Sequence, residues 1–480
     1  MLISGQLLVG ILLFNKKMTK DEKKIAIVPC FGSITHDILF EHIAKRFGLD
    51  TSCYRDIQKG MFKRKGIYTS AFRTVLILIV NIKKIIKQNV REIEYSGVKI
   101  GLNINEEVIA CSKTATCHNT LLIIKKTLKA VLIVDSYTPW FSSGRVELVL
   151  CGDEAYVFSG VCAQIACLYN IPCYCIKGGY EVYASKYDCL WKTGFRRDDF
   201  DAERLLGLDE SVLKESESIL ERLCSNDKGA LYYMPTSDSG SLSKKTIDYD
   251  GLEIIIFAHD FFDAPGIRGG NIYANHVEWL ERTLDFLLRN KTKVGVRFHP
   301  NSRPKNRPII DKLKKKYNSK VMWVDGDLNL KSLRGEIKGI VTVYGTICLE
   351  AAYLGIPVVS AGRTQWSLVN VAQESVDEEV YRGNLLELLS SNGRLDKRET
   401  LERKDNAIKV FALGFLERKA GGKTIHYPFD DIDVDLWSSI YREAYPDNIY
   451  QRRDRFLKSD LGERLAYNAV KKEDIIKIFD

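Results

Sequence analysis

The chain has 480 residues, of which 45% are hydrophobic and 28% charged, and its formal net charge at pH 7 is +9. This length predicts two domains, and the composition excludes a disordered or fibrous chain. The 12 cysteines form no CxxC pair, and several lie in apolar runs. This usage is typical of buried, reduced thiols in a cytoplasmic protein and argues against disulfides and zinc sites.

Residues 1–22 contain an apolar run, residues 7–14, that is followed rather than preceded by Lys16 and Lys17. The run is too short to span a bilayer. It also lacks the charge order and the cleavage site of a signal peptide. We interpret residues 1–22 as an N-terminal tail, either loosely attached or forming an interfacial helix.

Residues 23–245 are predicted to form the first domain, in which strands and helices alternate. The predicted strands cover residues 24–30, 131–134, 146–150 and 171–176. The predicted helices cover 38–47, 71–90, 119–129 and 152–169, and a hairpin is predicted over 92–110. The alternation favours a parallel sheet in a Rossmann-like domain, and the charged residues 198–245 are typical of helices and an exposed linker.

Residues 246–425 are predicted to form the second domain. Its predicted strands cover 252–257, 294–298, 340–343 and 356–359. An amphipathic helix is predicted between the first two, with the apolar residues Trp279, Leu280, Leu284 and Leu287 on one face. The chain after residue 362 has a helical pattern, and residues 426–480 are predicted to supply closing helices at 437–445 and 461–479 that cross back to the first domain.

Two strand-to-helix turns in the second domain carry polar groups that suit a nucleotide. His299-Pro300 ends one strand, and Gly345-Thr346 follows another, with Glu350 one helical turn deeper. Gly345 permits close approach of a phosphate, and a helix that begins at Thr346 favours an anion. His299 can donate to a phosphate oxygen, and the Glu350 carboxylate can accept from ribose hydroxyls. The alternative is that G-T-x-x-x-E only begins a helix.

These residues carry a resemblance. His299-Pro300, then Gly345-Thr346 with Glu350 and the ending Ala-Ala-x-x-Gly-Ile-Pro-Val, resemble the donor half of GT-B glycosyltransferases of the capsular polysaccharide and surface-antigen group. The stretches FAHDFFDAPG (257–266) and YSGVKIG (95–101) are similar to that group too.

The resemblance implies an α/β protein with two Rossmann-like domains that face each other across a cleft, and C-terminal helices that cross back to the first domain. It implies transfer of a sugar from a CMP- or UDP-linked donor to a growing lipid-linked or oligosaccharide acceptor of the capsule or O-antigen type. The expected reaction is inverting, needs no cofactor beyond the nucleotide sugar, and takes place in the cytoplasm or at the inner face of the plasma membrane.

An inverting transfer needs a group that takes the proton of the acceptor hydroxyl. Asp153, at the carboxyl end of a predicted strand, is the first candidate, although it also suits an N-cap. Asp37 and Asp135 are alternatives at the same predicted edge. In the second domain His259 can contact donor or acceptor. Further acceptor-side candidates are Gly32, Ser33 and Asp263, the last of which also suits a turn.

No metal is assigned. The DxD-like pairs Asp325 with Asp327 and Asp433 with Asp435 are interpreted as exposed loop carboxylates. GT-B enzymes usually neutralise the leaving group with a helix dipole and side chains, so we expect metal-independent activity.

Between residues 59 and 91 the chain has basic residues and no acidic ones. This stretch, interspersed with apolar residues, suits anionic lipid or an anionic, lipid-linked glycan, with Lys63, Arg64 and Lys65 as its central group. A solvated helix face is the simpler alternative. No RNA- or DNA-binding module accompanies the stretch, so a nucleic-acid partner is not expected. The basic residues are Lys59, Lys63, Arg64, Lys65, Arg73, Lys83, Lys84, Lys87 and Arg91.

Two other functions stay open. The non-hydrolysing UDP-N-acetylglucosamine 2-epimerases share the expected fold and a Gly-rich donor turn that ends in Glu. They carry Gly-Thr-Arg-Pro-Glu after the first strand, where this chain has Pro-Cys-Phe-Gly-Ser at 29–33. A non-enzymatic nucleotide-sugar-binding protein is the third possibility. Loss of the cleft carboxylates would favour it, but the sequence retains those carboxylates.

Overall fold

The computed structural model describes sixteen stretches of the chain. These are residues 25–27, 64–86, 90–117, 119–151, 155–171, 173–177, 182–186, 205, 207–225, 251–266, 272–299, 304–324, 328–364, 369–391, 393–412 and 424–425. The predicted α/β class is confirmed, since helices alternate with the strands of two sheets. The tail 1–22, the helix predicted at 38–47 and the closing helices within 426–480 lie outside the described residues, and the domain boundaries stay predictions.

The strands, in chain order, are β1 (Ile25–Ile27), β2 (Val146–Cys151), β3 (Cys173–Lys177), β4 (Val182–Lys186), β5 (Ile254–Phe257), β6 (Val294–Arg297), β7 (Met322–Trp323), β8 (Gly339–Thr342), β9 (Val358–Ser360), β10 (Gln373–Glu374) and β11 (Thr424–Ile425). The α-helices are α1 (Arg64–Val80), α2 (Ile82–Ile86), α3 (Ile100–Cys111), α4 (Thr120–Phe141), α5 (Val157–Leu168), α6 (Glu210–Cys224), α7 (His276–Arg289), α8 (Arg307–Tyr317), α9 (Ile347–Leu354), α10 (Glu378–Ser390) and α11 (Lys397–Phe411).

The first sheet has the strand order β1-β2-β3-β4-β11. The pairs β1–β2 and β2–β3 are parallel, as predicted, whereas β3–β4 and β4–β11 are antiparallel. The pairing of β11 brings the chain back to the first sheet after the second has been built. Residues of β2, β3, α3, α4 and α5 share one hydrophobic core.

Two sequence predictions in this part of the chain are wrong. Residues 131–134, predicted as a strand, belong to the 22-residue helix α4. Val131, Ile133 and Val134 are all buried, and a short apolar run that is buried on all sides has no periodicity that separates strand from helix. The hairpin predicted over 92–110 is only a bridge between Tyr95 and Val98, after which α3 begins.

The second sheet is wholly parallel, with the order β10-β9-β8-β5-β6-β7. The chain moves outward from β5 to β7 and then returns to the other side of β5 with β8, so the strand order reverses between β5 and β8. Helices cover both faces: Ile255 packs with α6, α9 and α11, and its neighbours Ile254 and Ile256 pack with α7, α8 and α10. This is a Rossmann-like, doubly wound arrangement.

The amphipathic helix predicted near Trp279 is confirmed as α7. Trp279, Leu280, Leu284 and Leu287 are all fully buried. The Trp279 Nε1–H donates to Tyr381 Oη at 3.1 Å, so its burial leaves no unsatisfied donor.

The prediction that the cysteines are buried is confirmed for most of those in the described residues, where no disulfide is formed. None of the described helices is long and apolar enough to cross a membrane. The buried thiols are Cys117, Cys151, Cys162, Cys173, Cys224 and Cys348.

Candidate nucleotide-binding site

Three rings meet at the carboxyl edge of the second sheet because the strands are in register. Phe257 of β5 pairs with Arg297 of β6 and with Thr342 of β8. Two residues beyond these paired positions stand His259, His299 and Tyr344. The ring centroid of His259 lies 5.8 Å from that of His299 and 4.7 Å from that of Tyr344. The cluster therefore lies at the point where the strand order reverses, which is where open parallel sheets bind ligands.

His276, the first residue of α7, adds a fourth ring. It is fully buried, its Nε2 lies 3.2 Å from Tyr344 Oη, and its ring centroid is 5.0 Å from that of His259. Burial and the neighbouring His259 hold the pKa of His276 well below its usual value, so this imidazole is neutral at pH 7. Sequence reasoning missed His276 and Tyr344. The only local signal was that Tyr344 directly precedes Gly345.

His299 is partly buried at the end of β6. Burial, reinforced by His259, lowers the pKa of His299 to about 4. A neutral imidazole keeps one N–H donor, which is what the predicted contact with a phosphate oxygen requires. Pro300, its predicted partner in the donor site, lies outside the described residues.

Gly345 lies in the turn between β8 and α9 and has a φ of +129°, a backbone conformation that residues other than glycine rarely adopt. No heavy atom lies within 4 Å of where a Cβ would stand. The conformation rather than crowding therefore demands glycine, and the space above the turn is open to a ligand.

Thr346 occupies the N-cap position of α9, as predicted, but its side chain makes no capping hydrogen bond. It hydrogen-bonds to the carboxyl group of Glu350 instead. Burial raises the pKa of Glu350, and this effect is opposed by the hydrogen bond from Thr346 and by the charge of Arg297. The structure thus brings Thr346 and Glu350 together, and it adds Arg297, which sequence reasoning missed.

His259 and Asp263 are also brought together, in the turn that follows β5. His259 Nδ1 lies 3.9 Å from Asp263 Oδ2, and both side chains are mostly buried. The Phe262 N–H donates to Asp260 Oδ1 at 2.8 Å and the Asp263 N–H donates to the Asp260 carbonyl at 3.1 Å, which holds the turn closed. Asp263 therefore belongs to a turn and lies beside the His259 ring, and its acceptor-side role stays a prediction.

A buried carboxyl group of α3 contacts the same turn. Glu106 is fully buried, and its Oε1 accepts from the Gly266 N–H at 3.2 Å. Arg91 Nη2 lies 3.7 Å from that oxygen and donates to the Ala274 carbonyl at 3.1 Å. Burial raises the pKa of Glu106, and the positive charge of Arg91 partly opposes this increase. These contacts fix α3 beside the edge of the second sheet. Apart from two adjacent glutamates, no sequence pattern indicates them.

Asp135 lies within a helix and not at the end of a strand, so the predicted position on which its acceptor-side role depended is wrong. It lies on α4 and accepts from Ser70 Oγ at 2.6 Å, Arg73 Nη1 at 2.6 Å and Tyr95 Oη at 2.8 Å. A carboxylate that binds three donors anchors α1 to α4. The other first-domain candidates, Gly32, Ser33, Asp37 and Asp153, lie outside the described residues.

The basic stretch is not free of acidic neighbours in the fold. Besides Arg73 with Asp135, Lys84 Nζ lies 3.7 Å from Glu92 Oε2, and Arg91 pairs with Glu106. Lys63 lies outside the described residues. The backbones of Arg64 and Lys65 form the first turn of α1.

Among the described residues, no group of three or more His, Cys, Asp or Glu side chains is arranged to hold a metal ion. Both DxD-like pairs, at 325–327 and 433–435, lie outside those residues.

The fold is that of an α/β protein, and its candidate site lies at the switch point of a parallel sheet. No protein-family model and no curated protein matches the chain. Among solved structures, the β-Kdo 2,4-transferase of Thermosulfurimonas dismutans KpsC is similar at 11% identity and a TM-score of 0.36, over 56% of this chain and 79% of that one.

Two further solved structures are similar at the same level. The β-Kdo 2,7-transferase of KpsC from the same organism matches at 14% identity and a TM-score of 0.29, over 57% of this chain and 89% of that one. UDP-GlcNAc 2-epimerase from Methanocaldococcus jannaschii, in complex with UDP-GlcNAc and UDP, matches at 12% identity and a TM-score of 0.25, over 60% of this chain and 81% of that one. At these TM-scores the likenesses do not assign an activity.

Proposed function

We propose that the chain is a glycosyltransferase that uses a nucleotide sugar and binds the nucleotide at the carboxyl edge of β5, β6 and β8. The observation that carries the proposal is the convergence of His259, His299 and Tyr344 beside the open turn at Gly345. A phosphate at this turn would meet the backbone N–H groups at the start of α9. Glu350, one turn deeper, has a carboxyl group that can accept from the ribose hydroxyls.

The donor side would act mainly by stabilising charge. As the acceptor oxygen bonds to the anomeric carbon, the bond from that carbon to the phosphate oxygen breaks and negative charge grows on the leaving phosphate. The α9 N-terminus, the His299 N–H and the Arg297 guanidinium are the groups available to stabilise that charge. If these groups stabilise the phosphate charge, the reaction requires no divalent ion.

The proton of the acceptor hydroxyl has two candidate destinations. Asp153 stays the first proposal for the base, from its predicted place after β2. The pair of His259 and Asp263 is the second, since a carboxylate beside an imidazole raises its basicity and orients it. The acceptor is proposed to be a growing, lipid-linked glycan of the capsule or O-antigen type.

A nucleotide panel tests the proposal most directly. CMP, CDP, UDP and GDP are each added to the purified chain, and a selective ligand should raise the melting temperature by mass action. The shift should disappear in Glu350→Ala and persist in Glu402→Ala, whose side chain is exposed on α11. No shift with any nucleotide would contradict the proposed site.

The reaction itself is tested with radiolabelled CMP- and UDP-sugars and a lipid-linked acceptor. Transfer of label to the lipid fraction supports a glycosyltransferase. Conversion of free UDP-N-acetylglucosamine to its 2-epimer without acceptor would replace the proposal by an epimerase. Binding without either reaction would indicate a nucleotide-sugar-binding protein.

A further inference from the structure

Helices α1 and α2 form one nearly continuous helix with an inverted distribution of side chains. The Asn81 N–H donates to the Ile77 carbonyl and the Ile85 N–H to the Asn81 carbonyl, both at 3.0 Å, so helical hydrogen bonds continue through the junction. The buried side of this helix includes the polar residues Ser70, Thr74 and Asn81, which are 2%, 3% and 9% exposed, together with Ile85. Ile77 and Leu78 are partly buried against the same core. A helix that faces water normally has the opposite pattern.

The buried polar groups are satisfied within the protein. Ser70 Oγ donates to Asp135, Thr74 Oγ1 donates to the Ser70 carbonyl at 2.7 Å, and Asn81 Nδ2 donates to the Ile77 carbonyl at 2.9 Å. The bonds of Thr74 and Asn81 stay within the helix, whereas the bond from Ser70 to Asp135 joins the helix to α4 and sets which side faces the protein.

The outward side is a row of large apolar side chains at helical spacing, which we name the α1–α2 ridge. Its six members are between 47% and 72% exposed. At 1.5 Å per residue the ridge runs for roughly 27 Å. A contiguous apolar surface of this length marks an interaction site. The members are Tyr68, Phe72, Leu76, Ile79, Ile82 and Ile86.

We propose that the α1–α2 ridge docks the protein on the surface of an anionic lipid membrane. The charge around the ridge favours this occupant. Lys83 is exposed near one end of the ridge, the first turn of α1 has Arg64 and Lys65 in its sequence, and no acidic residue occurs between 59 and 91. Helices that lie in a membrane interface combine apolar and aromatic residues with lysine and arginine in this way.

A second copy of the chain fits the ridge less well. A two-fold dimer brings the same surface of both copies together. A two-fold contact through the ridge would bring the basic stretch of one copy against that of the other, with no acidic residue between 59 and 91 to oppose it, and like charges repel. On a membrane, by contrast, the helix would lie parallel to the surface, because its opposite side is bonded to α4 through Asp135.

Vesicle binding tests the inference without nucleotide or acceptor, so its outcome is independent of the proposed glycosyltransferase function. The full chain is mixed with vesicles of phosphatidylcholine alone or with phosphatidylglycerol, and the bound fraction is measured by flotation. Binding should require phosphatidylglycerol and weaken at high salt. Lys83→Gln should lower the partition coefficient about fivefold, equivalent to about 1 kcal/mol for one basic residue near such a surface.

The ridge variant Phe72→Ser with Ile79→Ser should lower the partition coefficient at least tenfold. The matched control is Leu386→Ser with Leu401→Ser, whose side chains are 50% and 60% exposed on α10 and α11, and it should bind as the unmodified chain does. Equal binding by the ridge variant and the control, or no binding of the unmodified chain, would overturn the inference. So would a dimer, seen by analytical ultracentrifugation, that the ridge variant dissociates while vesicle binding is unchanged.

Discussion

The rings of His259 and Tyr344 lie 4.7 Å apart, although the strands that carry them are separated in sequence by 85 residues at the paired positions Phe257 and Thr342. Both rings stand two residues beyond that pair, so the register of β5 and β8 sets their contact. A slip of one residue would move either side chain to the other face of the sheet. The geometry of the site is thus a consequence of strand pairing.

From the proposed donor site we expect that Glu350→Ala and His299→Ala each weaken nucleotide binding while the protein still folds. A hydrogen bond to a charged group contributes roughly 1.5–3 kcal/mol, which corresponds to a loss of about tenfold or more in affinity. Isothermal titration calorimetry with the nucleotide chosen from the panel measures the effect, with Glu402→Ala as control. Wild-type affinity in both variants would show that the G-T-x-x-x-E turn only begins a helix.

We expect substitutions of Gly345 and Gly383 by alanine to have opposite effects on the free energy of unfolding. Gly345→Ala should lower the free energy of unfolding by about 1–3 kcal/mol, because alanine is strained at a φ of +129°. Gly383→Ala, inside α10 with no heavy atom within 4 Å of the added Cβ, should raise it by about 0.5–1 kcal/mol. Urea titrations of both variants provide the comparison. Only Gly345→Ala should also weaken nucleotide binding.

The buried histidines predict a loss of stability in acid. The pKa of His299 is about 4 in the folded protein and about 6.5 in the unfolded chain. Because the unfolded state takes up the proton first, the stabilisation is complete above pH 6.5 and is lost as the pH falls towards 4. His276 acts in the same direction.

His299→Gln should remove one part of this dependence. Relative to the variant, the unmodified chain should lose roughly 2–3 kcal/mol between pH 7.5 and 4.5. The raised pKa values of Glu106 and Glu350 act in the opposite direction, but they cancel in the difference between the two proteins. Parallel curves of unfolding free energy against pH would mean that His299 is not buried as a neutral group.

Transfer activity should persist in excess EDTA. The reason is that the α9 N-terminus, His299 and Arg297 are available for the phosphate charge. The measurement is label transfer with and without the chelator, followed by added magnesium or manganese. Complete loss that either metal restores would contradict the proposed leaving-group chemistry.

Asp153→Asn should abolish transfer and leave both substrates bound, because only the proton acceptor is removed. The paired variant His259→Asn tests the second candidate in the same assay. If Asp153→Asn retains the unmodified rate and His259→Asn does not, the base belongs to the second domain.

Four of the six strands of the second sheet were predicted, and the short strands β7 and β10 were missed. The predicted strands are bounded by turn residues. β6 ends before His299-Pro300 and β8 before Gly345, and both endings follow from local chemistry. In α4 the same kind of reasoning failed. Val131, Ile133 and Val134 form a β-branched run, and residues 130–134 are all buried, so this part of the sequence has no polar position that reports the helical period.

The sequence by itself determined the features that depend on near neighbours: the start of α9 at Thr346, the glycine conformation before it, and the amphipathic pattern of α7. Only the tertiary structure decided where each carboxyl group lies. Asp135 binds Arg73 on a helix, whereas Glu106 contacts Gly266 at the edge of the second sheet. Strand order and helix packing join residues far apart in the chain, and local propensity contains no information about those partners. For the same reason the sequence showed the apolar run of α1, and only packing showed that its polar side is the buried one.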